Sequence, residues 1–296
     1  MSKSPTRTRV LTALLMAPAA IAGVLLLPTP WLVALAAIVF LAALWEWFRL
    51  SEIDDTLQRT LLLLANLLLM AALVWASPTD SGGSLVLFKL VAMIGVIWWL
   101  LAVLWLRRYG FASDHDTHAR VFKLAAGTLA VVPAWCALAV LHAGDPAPTA
   151  WPLVAQGHVW LLVALMIVWA TDTGAYFAGR HFGGKWFGGR KMAPRISPNK
   201  TIEGLLGGIA LGVAVALAMA PLAGATVAQL PLVALAALAT VLASVVGDLF
   251  ESLLKRHVGA KDSGTLIPGH GGVLDRLDSV LAALPVFAVA KIWLGF

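Results

Sequence analysis

The residues with the clearest chemistry lie near the end of the chain, in the stretch from Ser252 to Asp278. Its 27 residues include four cations, three carboxylates and a histidine followed directly by a pair of glycines, although only 12% of the chain is charged. They are Lys255, Arg256, Lys261, Arg276, Asp262, Asp275, Asp278, His270, Gly271 and Gly272. Hard divalent cations take oxygen ligands, and phosphates accept charge-assisted hydrogen bonds from Lys and Arg. The stretch therefore predicts a metal-dependent phosphate site.

Helical spacing extends this site upstream. Asp248, Ser252 and Lys255 follow at i, i+4 and i+7 and share one helix face. Asp275 and Asp278, at i and i+3, also point one way. Two acidic faces near one basic loop favour a bound cation with phosphate. The alternative is that these carboxylates pair with neighbouring Lys and Arg only to neutralise buried charge.

A second basic stretch, Gly179–Thr201, is rich in glycine, which allows backbone N–H groups to approach a phosphate closely. It contains no G-x-x-x-x-G-K-[ST] pattern and is therefore not a Walker A motif. Its end, from Ser197 to Thr201, is expected to cap the next helix, whose N-terminus would attract anions. A generic basic loop of a membrane protein is the alternative for its Lys and Arg residues.

The elements that position these residues are predicted to be membrane-spanning helices. Apolar residues make up 60% of the 296-residue chain, which is outside the range of ordinary soluble domains. The net charge of +6 is explained by Lys and Arg in cytoplasmic loops, so we expect no nucleic acid as a partner. The single cysteine, Cys136, excludes a disulfide within one chain.

Nine apolar runs are long enough to cross a bilayer. They are Val10–Leu27, Trp31–Phe48, Thr60–Ala76, Leu85–Leu106, Val121–His142, His158–Ala178, Gly204–Leu222, Leu230–Leu254 and Leu277–Phe296. We predict an all-α, polytopic integral membrane protein with about nine transmembrane helices. It forms a single catalytic domain over residues 1–296, and its C-terminal half, 158–296, carries the site.

Lys and Arg gather in alternate connections between these runs, and the intervening connections contain neither. This sorting places the N-terminus and the basic loops in the cytoplasm. Asp172 in the sixth run and Asp248 in the eighth then lie near the cytoplasmic surface, where the seventh and ninth runs begin. Because ionisable residues inside spans are costly and usually functional, four helices are expected to bring polar groups to one depth. Asp114, His115, Asp116 and His118 also resemble a metal cluster, for which we favour a solvated loop.

The stretch from Ser252 to Asp278 resembles the signature of the phosphatidate cytidylyltransferase family, also called CDP-diacylglycerol synthases. The matching positions are Ser252, Lys255, Arg256, Lys261, Asp262, Gly264, Pro268, His270, Gly271, Gly272, Asp275, Arg276 and Asp278. The resemblance also covers W-x-x-D-T-x-A-Y at 169–176 and S-P-N-K-T-x-E-G at 197–204. The N-terminal third matches only in hydropathy.

The resemblance implies transfer of CMP from CTP to phosphatidic acid, which gives CDP-diacylglycerol and pyrophosphate for phospholipid biosynthesis. It implies Asp248 and Asp275 as ligands of Mg²⁺ and of a second cation such as K⁺. The residues expected to act in catalysis are Lys255, Arg256, Lys261, Asp262, His270, Arg276 and Asp278. The residues expected to bind substrate are Lys200, Arg195, Ser197, Thr201, Asp172, Ser252, Gly271 and Gly272.

Two other classes of function stay open on the residues alone. Another lipid- or prenol-phosphate transferase, or a CTP-dependent lipid kinase, would need the same kind of site. An ion-coupled transporter would also use carboxylates inside spans, although here they cluster at one surface. The expected surroundings are the lipids of a bacterial cytoplasmic (inner) membrane, with the site facing the cytoplasm. A homodimeric assembly is left open.

Overall fold

The computed structural model describes residues 5–77, 85–144, 154–267 and 271–296. Its elements in chain order are α1 (Pro5–Leu26), α2 (Thr29–Leu50), α3 (Thr56–Trp75), α4 (Val86–Arg107), α5 (Thr117–Ala143), α6 (Gln156–Phe182), β1 (Lys191–Ala193), β2 (Ser197–Thr201), α7 (Ile202–Met219), α8 (Leu230–His257) and α9 (Leu274–Leu294). Two 3₁₀ turns, Ala220–Ala223 and Val227–Gln229, join α7 to α8. The predicted all-α class is confirmed.

Eight of the described helices, α2 to α9, are long and apolar enough to cross a membrane. Within α1, the segment Leu14–Leu26 is also apolar but shorter. The chain is thus an integral membrane protein whose described residues include eight candidate spans and, in the place of the first predicted run, a shorter apolar segment. Of the spans, α5 is the most enclosed and α3 presents most of its apolar surface outward.

Side-chain caps explain where three helices begin. Asp55 accepts a hydrogen bond from the Leu57 amide at 3.0 Å, and Thr201 Oγ1 accepts one from Gly204 at 3.0 Å. The expectation that the stretch ending at Thr201 caps the following helix is therefore confirmed. Asp116 caps α5 through the Ala119 amide at 2.7 Å, so this carboxylate has a structural use in its exposed loop.

Glycines allow α6 and α7 to pack backbone against backbone. A Cβ atom on Gly174 of α6 would overlap the Gly207 carbonyl of α7, and one on Gly207 would overlap Ala178. In a lipid environment the hydrophobic effect does not drive helices together, so they associate through close van der Waals packing, which small residues permit. The C-terminal end of α6 is thereby fixed beside the N-terminal end of α7.

An aromatic cluster fixes the C-terminal half of α8. The Phe250 ring, fully buried, contacts the rings of Trp47, Trp98, Trp99 and Trp105 at centroid distances of 5.9, 5.8, 5.9 and 5.2 Å. Aromatic pairs of this kind contribute about 0.5–1.5 kcal/mol each beyond their burial. These contacts pack α8 against α2 and α4, so the polar residues next to Phe250 extend from a helix with a fixed position.

Candidate functional site

A cavity of about 580 Å³ opens between α6, α7, α8, α9 and the β1–β2 hairpin. Five of the predicted site residues line it: Asp172, Ser197, Lys200, Thr201 and Asp248. The other lining residues are Thr171, Ala175, Tyr176, Gly179, Arg180, Met192, Asn199, Gly204, Leu205, Val245 and Ser279. Polar groups from α6, α8, α9 and the hairpin that precedes α7 therefore meet at one cavity.

The central polar contact of the cavity is an ion pair between Lys200 and Asp248. The Lys200 ammonium contacts Asp248 Oδ2, and the two side chains remain 25% and 30% exposed. Ser252 Oγ lies 3.4 Å from Asp248 Oδ1, one helical turn further along α8. Asp172 also interacts electrostatically with both Asp248 and Lys200. Two carboxylates and one ammonium thus share a space that solvent can enter.

The β1–β2 hairpin forms the wall of the cavity beside Lys200. Its strands pair antiparallel, with Lys191 opposite Thr201. Arg256 of α8 donates a hydrogen bond from Nε to the Ile196 carbonyl at 3.2 Å. Arg195 stacks over the Tyr109 ring, with its guanidinium carbon 4.2 Å from the ring centroid. Arg195 and Arg256 thus both engage the protein itself.

Glu203 holds the glycine-rich loop before the hairpin. Its Oε1 accepts hydrogen bonds from the backbone amides of Gly184, Trp186 and Phe187 at 3.0, 3.3 and 3.3 Å. The side chain sits in the first turn of α7 and is buried. The glycine-rich loop is thereby fastened to the same helix end that lines the cavity.

A second polar cluster lies between α8 and the start of α9, outside the lining of the cavity. Lys255 Nζ lies 2.5 Å from Glu251 Oε2 and 2.8 Å from Asp275 Oδ1. Glu251 is 1% exposed, and its carboxylate pairs with the Lys255 ammonium one helical turn further along α8. Lys255 therefore neutralises two carboxylates, and its predicted contact with phosphate stays a prediction.

Asp275 shapes the loop that joins α8 to α9. Its Oδ2 accepts hydrogen bonds from the amides of Ser263 at 3.0 Å and Gly272 at 2.7 Å. Gly271 adopts a left-handed backbone with φ of 86°, which glycine tolerates without strain. The carboxylate predicted to bind metal thus also holds its own loop in shape.

The remaining predicted residues are dispersed. Asp278 interacts electrostatically with Asp248 and Asp172, and Arg276 with Asp172, so both belong to the surroundings of the cavity. Lys261 and Asp262 are exposed in the α8–α9 loop. His270 lies outside the described residues.

A hard cation fits the residues of the cavity. Within the described residues, no group of three or more His, Cys, Asp or Glu side chains could hold a metal ion alone. Mg²⁺, however, is commonly bound by one or two carboxylates together with substrate phosphates and water. Asp248 and Asp172 supply such oxygens at the cavity. Asp275 has three protein donors on its oxygens, so its ligation of metal stays a prediction.

Two residues of α2 contact this region and were not found from the sequence. Glu46 accepts hydrogen bonds from Ser263 Oγ and from the Leu274 amide, both at 2.9 Å. Arg49 donates a hydrogen bond to the Ser263 carbonyl. Glu46 lies within the second apolar run. Because an ionisable residue inside a span is costly and usually functional, its position in the sequence was a signal that could have identified it.

The model of the cytidylyltransferase family matches residues 7–293 of the chain. The chain belongs to this family. It is 39% identical over 288 residues to a phosphatidate cytidylyltransferase of Pseudomonas aeruginosa, covering 97% of both chains. It is 33% identical to the enzyme of that name from Haemophilus influenzae, covering 95% of this chain and 97% of the relative. A Bacillus subtilis phosphatidate cytidylyltransferase is 44% identical over 133 residues, 44% of this chain. The resemblance stated from the signature is thus confirmed, and it extends to the N-terminal third.

Proposed function

We propose that this chain is a phosphatidate cytidylyltransferase that transfers CMP from CTP to phosphatidic acid and releases pyrophosphate. The observation that carries the proposal is the cavity where Lys200 of β2, Asp172 of α6 and Asp248 of α8 meet. Family membership and the relatives of the same length support the reaction. CTP and phosphatidic acid are therefore the proposed partners.

The chemistry requires little besides positioning and charge. A phosphate oxygen of phosphatidic acid is ionised at neutral pH and attacks the α-phosphorus of CTP. The bond from that phosphorus to the bridging oxygen of the β-phosphate breaks, and pyrophosphate leaves with that oxygen. No protein base is needed to create the nucleophile. The barrier comes from bringing two polyanions together and from charge on the leaving group, which fixed donors reduce.

Lys200 and Arg180 supply positive charge at the cavity wall for these phosphates. Thr201 and Gly204 bring the N-terminal end of α7 to the same wall, where backbone amides and the helix dipole favour an anion. When phosphate enters, the Lys200 ammonium can exchange part of its contact with Asp248 for a phosphate oxygen. This exchange would free an Asp248 oxygen.

Mg²⁺ would be held by Asp248, with Asp172 close by and Asp275 as the second predicted ligand. When bound, such an ion neutralises phosphate charge and stabilises the leaving pyrophosphate. A second cation such as K⁺ is part of the same proposal. The residues of the chain then orient the two substrates and keep their phosphates in line.

The lipid substrate has a direct route to the cavity. Tyr176 lines the cavity while its side chain is 58% exposed on α6, and the neighbouring Phe177 is 56% exposed. We place this end of the bundle at the cytoplasmic leaflet of a bacterial inner membrane, because positive-inside sorting assigns basic loops to the cytoplasmic side. A cytosolic nucleotide and a membrane lipid would then meet without either crossing the bilayer. A homodimer stays a prediction.

The proposal is tested with purified full-length protein in mixed micelles containing phosphatidic acid, CTP and Mg²⁺. The wild type should form CDP-diacylglycerol and pyrophosphate in equal amounts. Asp248→Asn should lose at least about a hundredfold in kcat, because one neutral amide cannot replace a carboxylate at a phosphate and cation site. Asp114→Asn, an equivalent change in an exposed loop, is the matched control.

Two results would contradict the proposal. If Asp248→Asn kept the activity of the Asp114→Asn control, the cavity would not be the reaction site. If the wild type formed no CDP-diacylglycerol but drove ion-gradient-dependent uptake in liposomes, the transporter alternative would replace the enzyme.

A further inference from the structure

Glu46 is a buried carboxylate in a helix that contributes nothing to the lining of the cavity. It is 6% exposed within the apolar helix α2. Among the described residues it accepts hydrogen bonds from Ser263 Oγ, in the segment that joins α8 to α9, and from the amide of Leu274, the first residue of α9. A carboxylate is costly to bury, so its place here needs a compensating function.

Ser263 connects this carboxylate to Asp275. The Ser263 hydroxyl donates to Glu46 and accepts from the Asp275 amide at 3.2 Å, so its direction is fixed from both sides. The Ser263 amide in turn donates to Asp275 Oδ2. Ser263 is fully buried, and Arg49 binds its carbonyl oxygen. An unbroken chain of hydrogen bonds therefore runs from α2 to the side chain of Asp275.

Two glycines of the signature leave the space that Glu46 occupies. A Cβ atom on Gly264 would overlap Glu46 Oε1, and one on Gly272 would overlap Glu46 Oε2 and Ser263 Oγ. Neither glycine has a positive φ, so glycine is required here because a Cβ atom would prevent the close approach of Glu46. The loop is thus shaped around the carboxylate of α2.

We propose that Glu46 is a positioning residue for cytidylyl transfer, acting through Ser263 to fix the direction of the Asp275 carboxylate. This inference rests on the proposed function. Glu46 touches no substrate; it sets the geometry of a loop whose carboxylate is proposed to act at the reaction. Loss of a hydrogen-bond partner that orients a functional carboxylate typically lowers activity about 10–100-fold.

The test compares kcat and KM for CTP in full-length Glu46→Ala, Ser263→Ala and the double variant. We expect each single variant to lower kcat about 10–100-fold, with a smaller change in KM. The double variant should be no slower than the slower single variant, because both changes break one chain of contacts. Glu46→Gln keeps one side-chain oxygen that can accept both bonds and should restore most of kcat.

A control separates positioning from stability. Glu52→Gln removes the charge of an acidic side chain just beyond α2 that contacts Lys123 and His115. It should lower the Tm while leaving kcat unchanged at temperatures well below the Tm. The proposal would be overturned if the loss of kcat in the double variant were the product of the two single losses. A wild-type kcat in Glu46→Ala would overturn it as well.

Hydrogen–deuterium exchange provides a readout that does not depend on the reaction. The amides of Ser263, Gly272 and Leu274 should exchange faster in Glu46→Ala and return to wild-type rates in Glu46→Gln. If the wild type made no CDP-diacylglycerol but these amides still exchanged faster in Glu46→Ala, the proposed function would fail and the chain of contacts from Glu46 to Asp275 would stand. Unchanged exchange in Glu46→Ala would overturn the positioning chain itself.

Discussion

Replacement of Glu52 by glutamine is expected to destabilise the folded protein by about 2–3 kcal/mol. Glu52 Oε2 lies 3.0 Å from the ammonium of Lys123, whose side chain is 0% exposed, whereas Glu52 is 19% exposed. Removing one partner of a fully buried ion pair costs about 3–5 kcal/mol, because the other charge is left uncompensated. The partial exposure of Glu52 places the expected value below that range.

The substitution isolates the charge from the backbone. Glu52 has a positive φ of 63°, and glutamine carries the same conformational cost at this position. Lys123→Met is the matched partner variant, because it removes the buried charge and keeps an apolar side chain of similar length. We expect Lys123→Met to cost less than Glu52→Gln, and the double variant to be more stable than Glu52→Gln alone.

Thermal unfolding in detergent measures these differences. A loss of about 2–3 kcal/mol corresponds to a fall in Tm of roughly 4–12 °C for chains of about this size. Equal falls for Glu52→Gln and Lys123→Met, with a double variant whose fall is their sum, would refute the reasoning. The pair would then contribute no coupling energy.

Three further predictions concern pH, helix packing and substrate binding. Burial acts to raise the pKa of Glu52, but hydrogen bonds from Lys123 and His115 outweigh it and hold the pKa below the ordinary 4.5. The stability from this carboxylate is therefore present above pH 4.5 and lost as pH falls through the lowered pKa, so the Tm difference between wild type and Glu52→Gln should shrink below that pH. Gly174→Val should overlap α7 and lower the Tm by several degrees or prevent folding, whereas Gly23→Val, with its nearest neighbour atom 3.9 Å away, should not. Lys200→Met should raise KM for CTP about tenfold or more through loss of a charged phosphate contact, and Lys89→Met, at an exposed position of α4 outside the cavity lining, should not.

The architecture and the end of the bundle that carries the cavity were predictable, because both depend on local signals. Hydropathy predicted the helices, and the alternation of basic connections placed Asp172, Lys200 and Asp248 at one depth. Short-range rules also predicted the Thr201 cap and the solvated loop around Asp116. The helices and caps need only the neighbours of a residue in the sequence, and the shared depth needs only the order of the basic connections along the chain.

Contacts between distant segments were not predictable from the same signals. Glu46 and Ser263 are 217 positions apart, and nothing in the helical period of α2 states which loop will cover its polar group. Spacing placed Lys255 on the face of Asp248, but the structure turns its ammonium to Glu251 and Asp275. Side-chain reach and the crossing of α8 with α9 decide that choice. Neither the reach of a side chain nor the crossing of two helices can be derived from residue spacing in the sequence.

The fate of the CTP phosphates tests the central claim most directly. Full-length protein in phosphatidic acid micelles is given CTP labelled on the α-phosphate or on the γ-phosphate. Cytidylyl transfer predicts that the α-label enters the lipid product and the γ-label leaves in pyrophosphate, with both signals lost in Asp248→Asn. A γ-label in the lipid would instead identify a CTP-dependent kinase and contradict the account.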